Sequence, residues 1–326
     1  MPKEFSKIVQ KHGDPNIYLW ADRKWYFYNQ LQEPLGGGAM GTVYVGYSCD
    51  GRQKIVVKRV VDRYANQKAI RDRAMLEASL AFRHPNLIEM IGACEYPNHV
   101  GPIFILSNFV EGINIDKHVK QNLEFNPDRE TIISRWMCNV LDALEYLHSH
   151  GVFHRDIKPS NIMIENGKAA KLIDLGIAKL DGELGGHTSS GFVGTPCYAA
   201  PEQILRKEDN DTVINATTDI YALGVTFYEL LAGYNPFDSE IDNEIIKNCL
   251  KMKLPKNKRI SRQIMRIIRR ATEKEQSKRY QTAAEFKTAI MDALKSSPIG
   301  VSKYVITAVA LAVVAAVIFI LKFYSF

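Results

Sequence analysis

The stretch HRDIKPSN, residues 154–161, concentrates side chains that can do chemistry within a short segment of the chain. Asp156 and Lys158 lie two residues apart, so in an extended loop their side chains face the same side. Asn161 adds an amide, and a further carboxylate, Asp174, ends the apolar run of LIDLG. Taken singly, each of these is more often a solvated loop group than a functional one. The rest of the chain therefore decides between the two interpretations.

A glycine-rich stretch and a lysine precede this segment. Gly36, Gly38 and Gly41 form the spacing GxGxxG in LGGGAMGTVYVG, and Val43 follows. Glycines let a backbone approach phosphate oxygens, but a glycine-rich hairpin gives the same pattern. A dinucleotide-binding fold would need a helix directly after the glycines, whereas TVYVGY continues as a strand. Lys58 lies inside the apolar strand pattern IVVKRV, where burial is costly unless anions such as nucleotide phosphates pair with it.

The hydrophobic pattern divides the chain into a sheet-rich part and a helical part. KWYFYNQL, TVYVGYS and KIVVKRVV read as strands, and residues 87–93 and 103–109 add two more strand candidates. NQKAIRDRAMLEASLAF has a helical period and ends at HPNL, where the proline disfavours a helical residue before it. From Thr131 onward the pattern predicts long helices, beginning with TIISRWMCNVLDALEYLHSH. This order predicts an α+β fold with a ligand cleft between the two parts.

Five motifs occur in a fixed order along the chain: the glycine loop, the strand lysine, HRDIKPSN, DLG and APE. Together they resemble the protein kinase family, and the resemblance covers residues 31–294. It implies a two-lobed protein kinase fold, with an N-lobe over residues 31–108, a C-lobe over residues 113–294 and an N-terminal extension over residues 1–30. The lysine in HRDIKPSN and Thr195 in GTPCYAAPE resemble the serine/threonine branch, and the compact spacing is similar to bacterial members.

The resemblance implies a role for each motif residue. Asp156 would accept the proton of a substrate hydroxyl, and Lys158 would stabilise the transferring phosphate. Asn161 would complete this catalytic set and, with Asp174, would hold Mg²⁺, or Mn²⁺ in its place. The residues expected to bind ATP are Gly36, Gly38, Gly41, Val43, Lys58, Glu77, Asn108 and Val110. The implied activity is that of an ATP-dependent protein-serine/threonine kinase acting on protein substrates; the alternatives are a membrane-tethered pseudokinase scaffold and a small-molecule kinase.

Glu77 departs from the family pattern. The family's helix glutamate, which pairs with the strand lysine, falls nine residues before the histidine of HPN, and Met75 occupies that position here. Glu77 is the nearest acid and is therefore the predicted partner of Lys58; the alternatives are a partner elsewhere in the chain and an ion pair that forms only on activation. In the hinge, SNFVEG, Asn108 replaces the usual acid, and the resemblance implies that bonds to adenine come from backbone groups.

The resemblance identifies residues 176–200 as an activation loop. Its hydroxyl side chains in the stretch HTSSG are Thr188, Ser189 and Ser190. Our hypothesis is that phosphorylation of one of them orders the loop through pairing with Arg155, the alternative being a merely solvated loop. Self-association would let one copy phosphorylate this loop in another.

Three further positions resemble structural positions of the family. Glu202 of APE and Arg279 of KRYQT resemble a buried ion pair between the activation segment and a late helix. Asp219 resembles the aspartate that anchors the catalytic-loop backbone, and as an N-cap candidate it also has a local reason to exist. None of the three is expected to take part in the chemistry.

Composition limits the class of partner. The net charge of +6 is modest, so no nucleic-acid partner is predicted. The five cysteines are widely separated and form no CxxC pair. A disulfide framework and a zinc site are therefore both disfavoured, and a reducing compartment fits best.

The segment VITAVALAVVAAVIFIL, residues 305–321, carries no charge and a single polar side chain, Thr307. As a helix it would span about 26 Å, near the lower limit for crossing the hydrocarbon core. The alternative is a buried core helix, which would more often have a polar face. We therefore expect one C-terminal transmembrane helix, reached through a juxtamembrane linker over residues 295–304, that acts as a tail anchor and leaves the kinase domain cytoplasmic.

A run of positive charge lies ahead of this segment. Its members are Lys256, Lys258, Arg259, Arg262, Arg266, Arg269 and Arg270. A solvated helix face is the plain interpretation, and electrostatic contact with an anionic membrane leaflet is the alternative.

Overall fold

A computed structural model describes residues 7–38, 41–60, 68, 71–72, 75, 82–96, 101–174, 196–205 and 213–296 of the chain. Within these residues a strand-rich N-lobe precedes a helical C-lobe. The α+β architecture predicted from the hydrophobic pattern is therefore confirmed.

The N-lobe is built on one antiparallel sheet, to which the described residues contribute eight strands. These are β1 (Lys7–Gln10), β2 (Asn16–Ala21), β3 (Lys24–Asn29), β4 (Gly36–Gly38), β5 (Gly41–Ser48), β6 (Lys54–Val60), β7 (Met90–Cys94) and β8 (Ile103–Asn108). Seven of them follow the order β1-β2-β3-β5-β6-β8-β7, and β4 pairs with the start of β5. The glycine stretch is thus a hairpin between two strands, which excludes the dinucleotide-binding fold.

The first three strands belong to this sheet. β3 pairs with β5, where Tyr26 lies opposite Ser48. Buried and part-exposed side chains alternate along β2 and β3. The buried set includes Leu19 and Tyr28, which pack in one core with Phe104 of β8. Residues 7–29 therefore supply part of the N-lobe core.

The N-lobe sheet curls, so that strands far apart in its order meet. The Cys94 thiol of β7 donates to the Trp20 carbonyl oxygen of β2 at 3.3 Å. The boundary predicted at residue 31, with an N-terminal extension before it, consequently runs through a continuous core. The reason is long-range strand pairing, which joins residues 7–29 to strands that follow the boundary.

The C-lobe is helical. Its described helices are α1 (Ile115–His118), α2 (Arg129–Ser149), α3 (Pro201–Leu205), α4 (Ala216–Ala232), α5 (Asp242–Lys251), α6 (Arg262–Ala271) and α7 (Ala283–Ser296). α4 is buried along most of its length and packs against α2 and α6. It begins at the N-cap residue Asn215 and ends at Gly233, whose φ of 88° favours glycine.

A small second sheet brings chain segments of the site together. It contains β9 (Gly112–Asn114), β10 (Ile162–Glu165) and β11 (Ala169–Leu172), with β10 in the middle. A 3₁₀ turn over Pro159–Asn161 leads directly into β10, and Asp174 follows β11 by two residues. Because β10 and β11 are antiparallel, with Ile162 opposite Leu172, Asn161 and Asp174 reach the same end of the sheet.

The membrane expectation concerns residues outside the described part of the chain. None of the helices formed by the described residues has the length and apolar character needed to cross a bilayer. The segment 305–321 is not among these residues.

We expect Leu19→Ala to lower the free energy of unfolding of the chain by about 2 to 4 kcal/mol, because it leaves a cavity in the N-lobe core. Val9→Ala on the neighbouring strand is the matched control, since Val9 is 40 % exposed and Leu19 is fully buried. Denaturant unfolding of both variants checks the prediction. An unfolding curve for Leu19→Ala that coincides with that of Val9→Ala would mean that β1 to β3 are dispensable to the lobe.

Candidate active site

The predicted catalytic residues form one hydrogen-bonded cluster. The Lys158 ammonium lies 3.1 Å from Asp156 Oδ2. The Asn161 amide nitrogen donates to the same Oδ2 at 2.9 Å and to the Asp156 carbonyl oxygen at 2.8 Å. The side chains of Asp156 and Lys158 are 13 % and 17 % exposed, so their charges are largely shielded from water. Both contacts hold the Asp156 carboxylate in one orientation.

Asn161 also connects this cluster to Asp174. The backbone N–H of Ile173 donates to the Asn161 carbonyl oxygen at 3.0 Å, which places the residue before Asp174 against the catalytic loop. Because Asn161 Nδ2 makes both bonds to Asp156, the side-chain oxygen is the atom that remains to bind a cation. The structure therefore brings together the two predicted metal ligands.

Lys58 reaches Asp174 across the space between the lobes. Lys58 Nζ lies 3.2 Å from Asp174 Oδ2 and 3.4 Å from Oδ1. Lys58 is held on the interior strand β6, opposite Val43 of β5 and Ile105 of β8. The pair is partly exposed, so both charges stay accessible to a ligand that enters between the lobes.

The glycine hairpin lies beside Lys58 in the sheet. Gly36 pairs with Val43, and Val43 is in turn opposite Lys58. A Cβ atom at Gly41 would collide with the carbonyl oxygen of Arg59, whereas one at Gly36 would meet nothing. Gly41 is thus required by close backbone packing, and Gly36 leaves its backbone open to a ligand.

The hinge residue Asn108 is engaged within the protein. Its amide nitrogen donates to Glu89 Oε2 at 2.8 Å, and its amide oxygen accepts from Gln53 at 2.7 Å. Its backbone N–H donates to the Glu89 carbonyl oxygen. Asn108 therefore fixes the end of β8, while Val110 is buried at the connection to the C-lobe.

One buried carboxylate holds the catalytic loop. Asp219 accepts hydrogen bonds from the backbone N–H of His154 at 2.9 Å and of Arg155 at 2.7 Å. Arg155 has a φ of 64°, a left-handed conformation that is strained for a residue with a side chain. The hydrogen bond that Arg155 donates to Asp219 stabilises this conformation. It thereby orients the backbone that carries the next residue, Asp156.

His148 is a third partner of Asp219. Its Nε2 lies 2.8 Å from Asp219 Oδ2. Burial alone would raise the pKa of Asp219, but the hydrogen bond and charge of His148, the charge of His154 and the Arg155 N–H together lower the pKa below its ordinary value. Sequence reasoning missed His148; the available signal was a histidine in the last turn of an apolar helix.

The expected ion pair of Glu202 and Arg279 is present and buried. Arg279 NH1 and NH2 lie 2.7 and 2.9 Å from the two carboxylate oxygens of Glu202. Arg279 is 1 % exposed and also donates to the Thr217 carbonyl oxygen. Thr218 donates its hydroxyl to Glu202 at 2.8 Å. The pair ties α3 to the first turn of α4.

Gln203 joins α3 to the catalytic loop, and sequence reasoning missed it. Its amide nitrogen donates to the Arg155 carbonyl oxygen at 3.1 Å, and its amide oxygen accepts from the Ala200 N–H at 3.0 Å. Gln203 directly follows APE, and no pattern in the sequence marks its partner 48 residues away.

The donor set fits a magnesium ion that arrives with a polyphosphate. Asp174 supplies a carboxylate and Asn161 an amide oxygen, which are hard ligands of the kind magnesium prefers. Among the described residues no group of three or more acidic, histidine or cysteine side chains could hold a metal by itself. The remaining ligands would therefore come from the phosphates and water.

Several predicted positions lie outside the described residues: Glu77, Gly176, Thr188, Ser189, Ser190 and Thr195. Of the predicted helix near Glu77, the described positions Lys68, Arg71, Asp72 and Met75 are helical. Met75 packs against the N-lobe core at Val60 and Ile105. The predicted pairing of Glu77 with Lys58 stays a prediction.

Comparisons with known proteins all identify protein kinases as similar to this chain. A family model described as "Protein kinase domain" matches residues 29–291. An Aurora kinase of Eremothecium gossypii is 32 % identical over 231 residues, which make up 69 % of this chain and 58 % of that protein. Serine/threonine-protein kinase PrkC of Bacillus subtilis is 29 % identical over 284 residues, 85 % of this chain and 42 % of that protein.

A further relative and a solved structure agree with this. A probable serine/threonine-protein kinase PknB of Lactococcus lactis is 28 % identical and covers 83 % of this chain and 42 % of its own. The kinase domain of Mycobacterium tuberculosis PknI superposes with a TM-score of 0.62 at 24 % identity, over 82 % of this chain and 95 % of that one, which supports the fold. This chain spans about half the length of the curated relatives it matches.

We expect Asp219→Asn to destabilise the chain by roughly 3 kcal/mol at neutral pH, because an amide donor would face the loop N–H groups. Since the pKa of Asp219 is lowered on folding, its stabilisation is present above about pH 4 and is lost as the pH falls through the folded pKa. Denaturant unfolding from neutral to acid pH checks this. The exposed carboxylate variant Asp292→Asn is the control; a gap between Asp219→Asn and wild type that stays constant with pH would contradict the assignment.

Proposed function

The chain belongs to the protein kinase family, and from that membership we propose that it transfers the γ-phosphate of ATP to serine or threonine hydroxyls of protein substrates. The observation that carries this proposal is the cluster of Asp156, Lys158 and Asn161, joined through Ile173 to Asp174. Phosphoryl transfer needs a positioned hydroxyl and neutralised phosphate charge, and this cluster provides groups for both.

In the proposed reaction the substrate hydroxyl oxygen bonds to the γ-phosphorus, and the bond from that phosphorus to the bridging oxygen of ADP breaks. Asp156 orients the hydroxyl and takes its proton. Lys158, held 3.1 Å from Asp156, stabilises negative charge on the transferring group. Lys58 exchanges contact with Asp174 for contact with the phosphates. When bound, magnesium supplies further charge neutralisation, with Asn161 and Asp174 as its protein ligands.

The choice of serine and threonine as acceptors rests on the lysine in HRDIKPSN and on the Ser/Thr kinases among the relatives. Lys158 touches the catalytic carboxylate, which supports a direct part in transfer. The alternative of a membrane-tethered pseudokinase would leave this cluster without use.

We expect Asp174→Asn to lower phosphate transfer by roughly two orders of magnitude or more, because it removes the charged metal ligand. The measurement is label transfer from γ-labelled ATP with magnesium to a generic protein substrate, using the full chain. Asp242→Asn, at an exposed helix start away from the cluster, is the matched control and should retain activity. Equal label above background with wild type and Asp174→Asn would overturn the proposed mechanism, and no label above background with either would support the pseudokinase.

We also propose that phosphorylation of the segment 176–200 regulates the kinase. Thr188, Ser189 and Ser190 are the acceptor candidates, and Arg155 beside the catalytic aspartate is the cation proposed to pair with the phosphate. Self-association would supply the second copy that performs this transfer.

The triple variant Thr188→Ala/Ser189→Ala/Ser190→Ala should lose most of the activity that wild type gains on preincubation with ATP, since no phosphate can be added. Initial rates before and after preincubation, with mass-spectrometric mapping of label, check this. A triple variant that is activated as fully as wild type would remove the regulatory proposal and leave the proposed chemistry intact.

Residues 305–321 are proposed to span a membrane and to keep the kinase domain on its cytoplasmic face. The support is the uncharged 17-residue run and the flanking Lys303 and Lys322. Anchoring in one plane would also raise the encounter rate of two copies.

A further inference from the structure

One segment of the C-lobe is basic with no acidic residue between its cations. From Lys251 to Thr272 the chain contains nine lysines and arginines and no acidic residue. This segment covers the end of α5, the following loop and the whole of α6. The modest net charge of +6 hides this local excess.

α6 separates its apolar and basic residues onto opposite faces. Ile264, Met265, Ile267 and Ile268 are buried in the C-lobe core. Arg262, Arg266 and Arg270, spaced four residues apart, are exposed on the other side. We name this face, together with the exposed lysines of the preceding loop, the basic face; its members are Lys256, Lys258, Arg262, Arg266 and Arg270.

Most of the basic face is not neutralised by the protein. Arg270 lies over the Tyr280 ring at 4.2 Å, and the neighbouring Arg259 pairs with Glu124. Glu130 also approaches the start of α6, where it accepts a hydrogen bond from the Ser261 N–H. The other four members of the basic face, Lys256, Lys258, Arg262 and Arg266, are exposed and form no ion pair with any other described residue.

The chain leaves the C-lobe beside this face. Gln263, adjacent to Arg262, donates its side-chain amide to the hydroxyl of Ser296 at 2.7 Å. Ser296 is the last residue of α7. The eight residues 297–304 separate it from the apolar segment, and even fully extended they reach no more than about 30 Å. A membrane that holds residues 305–321 therefore lies within reach of the basic face.

We propose that the basic face docks on the anionic lipid headgroups of the membrane that holds residues 305–321, and so fixes the orientation of the kinase domain on the bilayer. The inference rests on the membrane span proposed above. Two observations support it: charge complementarity, and the contact between Gln263 and Ser296, which places the end of α7 next to the basic face. Arginine and lysine attract anionic headgroups without a shaped pocket, so an exposed face suffices.

The test follows the reactivity of individual lysines in the full chain. The protein is inserted into nanodiscs of phosphatidylcholine alone or with phosphatidylglycerol added, and amine acetylation is followed for each lysine by mass spectrometry. Lys256 and Lys258 should react several-fold more slowly in the anionic discs. Lys24, exposed on the N-lobe, is the internal control and should react equally in both. The protection should vanish at high salt, because the screening length falls from about 10 Å at 0.1 M to about 3 Å at 1 M.

The double variant Arg262→Gln/Arg266→Gln should lose most of this protection while it keeps phosphate transfer, which shows that it is folded. Equal rates for Lys256 and Lys258 in the two lipids would overturn the inference and leave the face to a protein partner. Protection of Lys24 to the same degree would also overturn it, because the effect would not be local. Release of the chain from the discs by alkaline carbonate would overturn the proposed membrane span, and the proposed docking with it. The proposed kinase activity would be unaffected by that result.

Discussion

The first turn of α4 holds the site together through three consecutive residues. The Thr217 carbonyl oxygen and the Thr218 hydroxyl bind Arg279 and Glu202, and Asp219 binds the catalytic loop. All three are buried, and Asn215 caps the helix that carries them. A rigid helix end thus holds the strained backbone at Arg155. Because unpaired buried charge is costly, a substitution of Asp219 or Arg279 is expected to lower the free energy of unfolding and to disturb the geometry of the active site.

From this turn, contacts lead through the catalytic loop to the other lobe. Asp219 sets Arg155, Asn161 holds Asp156, and Ile173 connects Asn161 to Asp174. The links within the C-lobe are hydrogen bonds of buried or half-buried groups. The link between the lobes, Lys58 to Asp174, is an ion pair with both side chains partly exposed. It is therefore the link that a phosphate-bearing ligand can exchange without disturbing the loop behind it.

The sequence predicted the parts of this arrangement that are encoded locally. The strand pattern, the long helices and the residues of HRDIKPSN needed no knowledge of distant contacts. The membership of residues 7–29 in the N-lobe sheet did, because it rests on pairing between β3 and β5 and on contact between β2 and β7. His148 and Gln203 were missed for a related reason: their partners lie 71 and 48 residues away, and the position of one polar residue in the sequence does not identify its partner.

Arg262 and Arg266 of α6 are not explained by folding, whereas Arg269 donates to the Leu254 carbonyl oxygen and Arg270 lies over the Tyr280 ring. The buried isoleucines and the Ser261 cap already favour the helix. Arg262 lies in the first turn, where the helix dipole disfavours a cation. Arg262, Arg266 and Arg270 are spaced four apart, and each like-charged pair costs about 0.2 to 0.5 kcal/mol. If this face were merely solvated, acidic residues in the first turn would stabilise the helix more than Arg262 does. The helix therefore carries charge at some cost to its own stability, and the anionic headgroups that we propose as its partner would offset this cost.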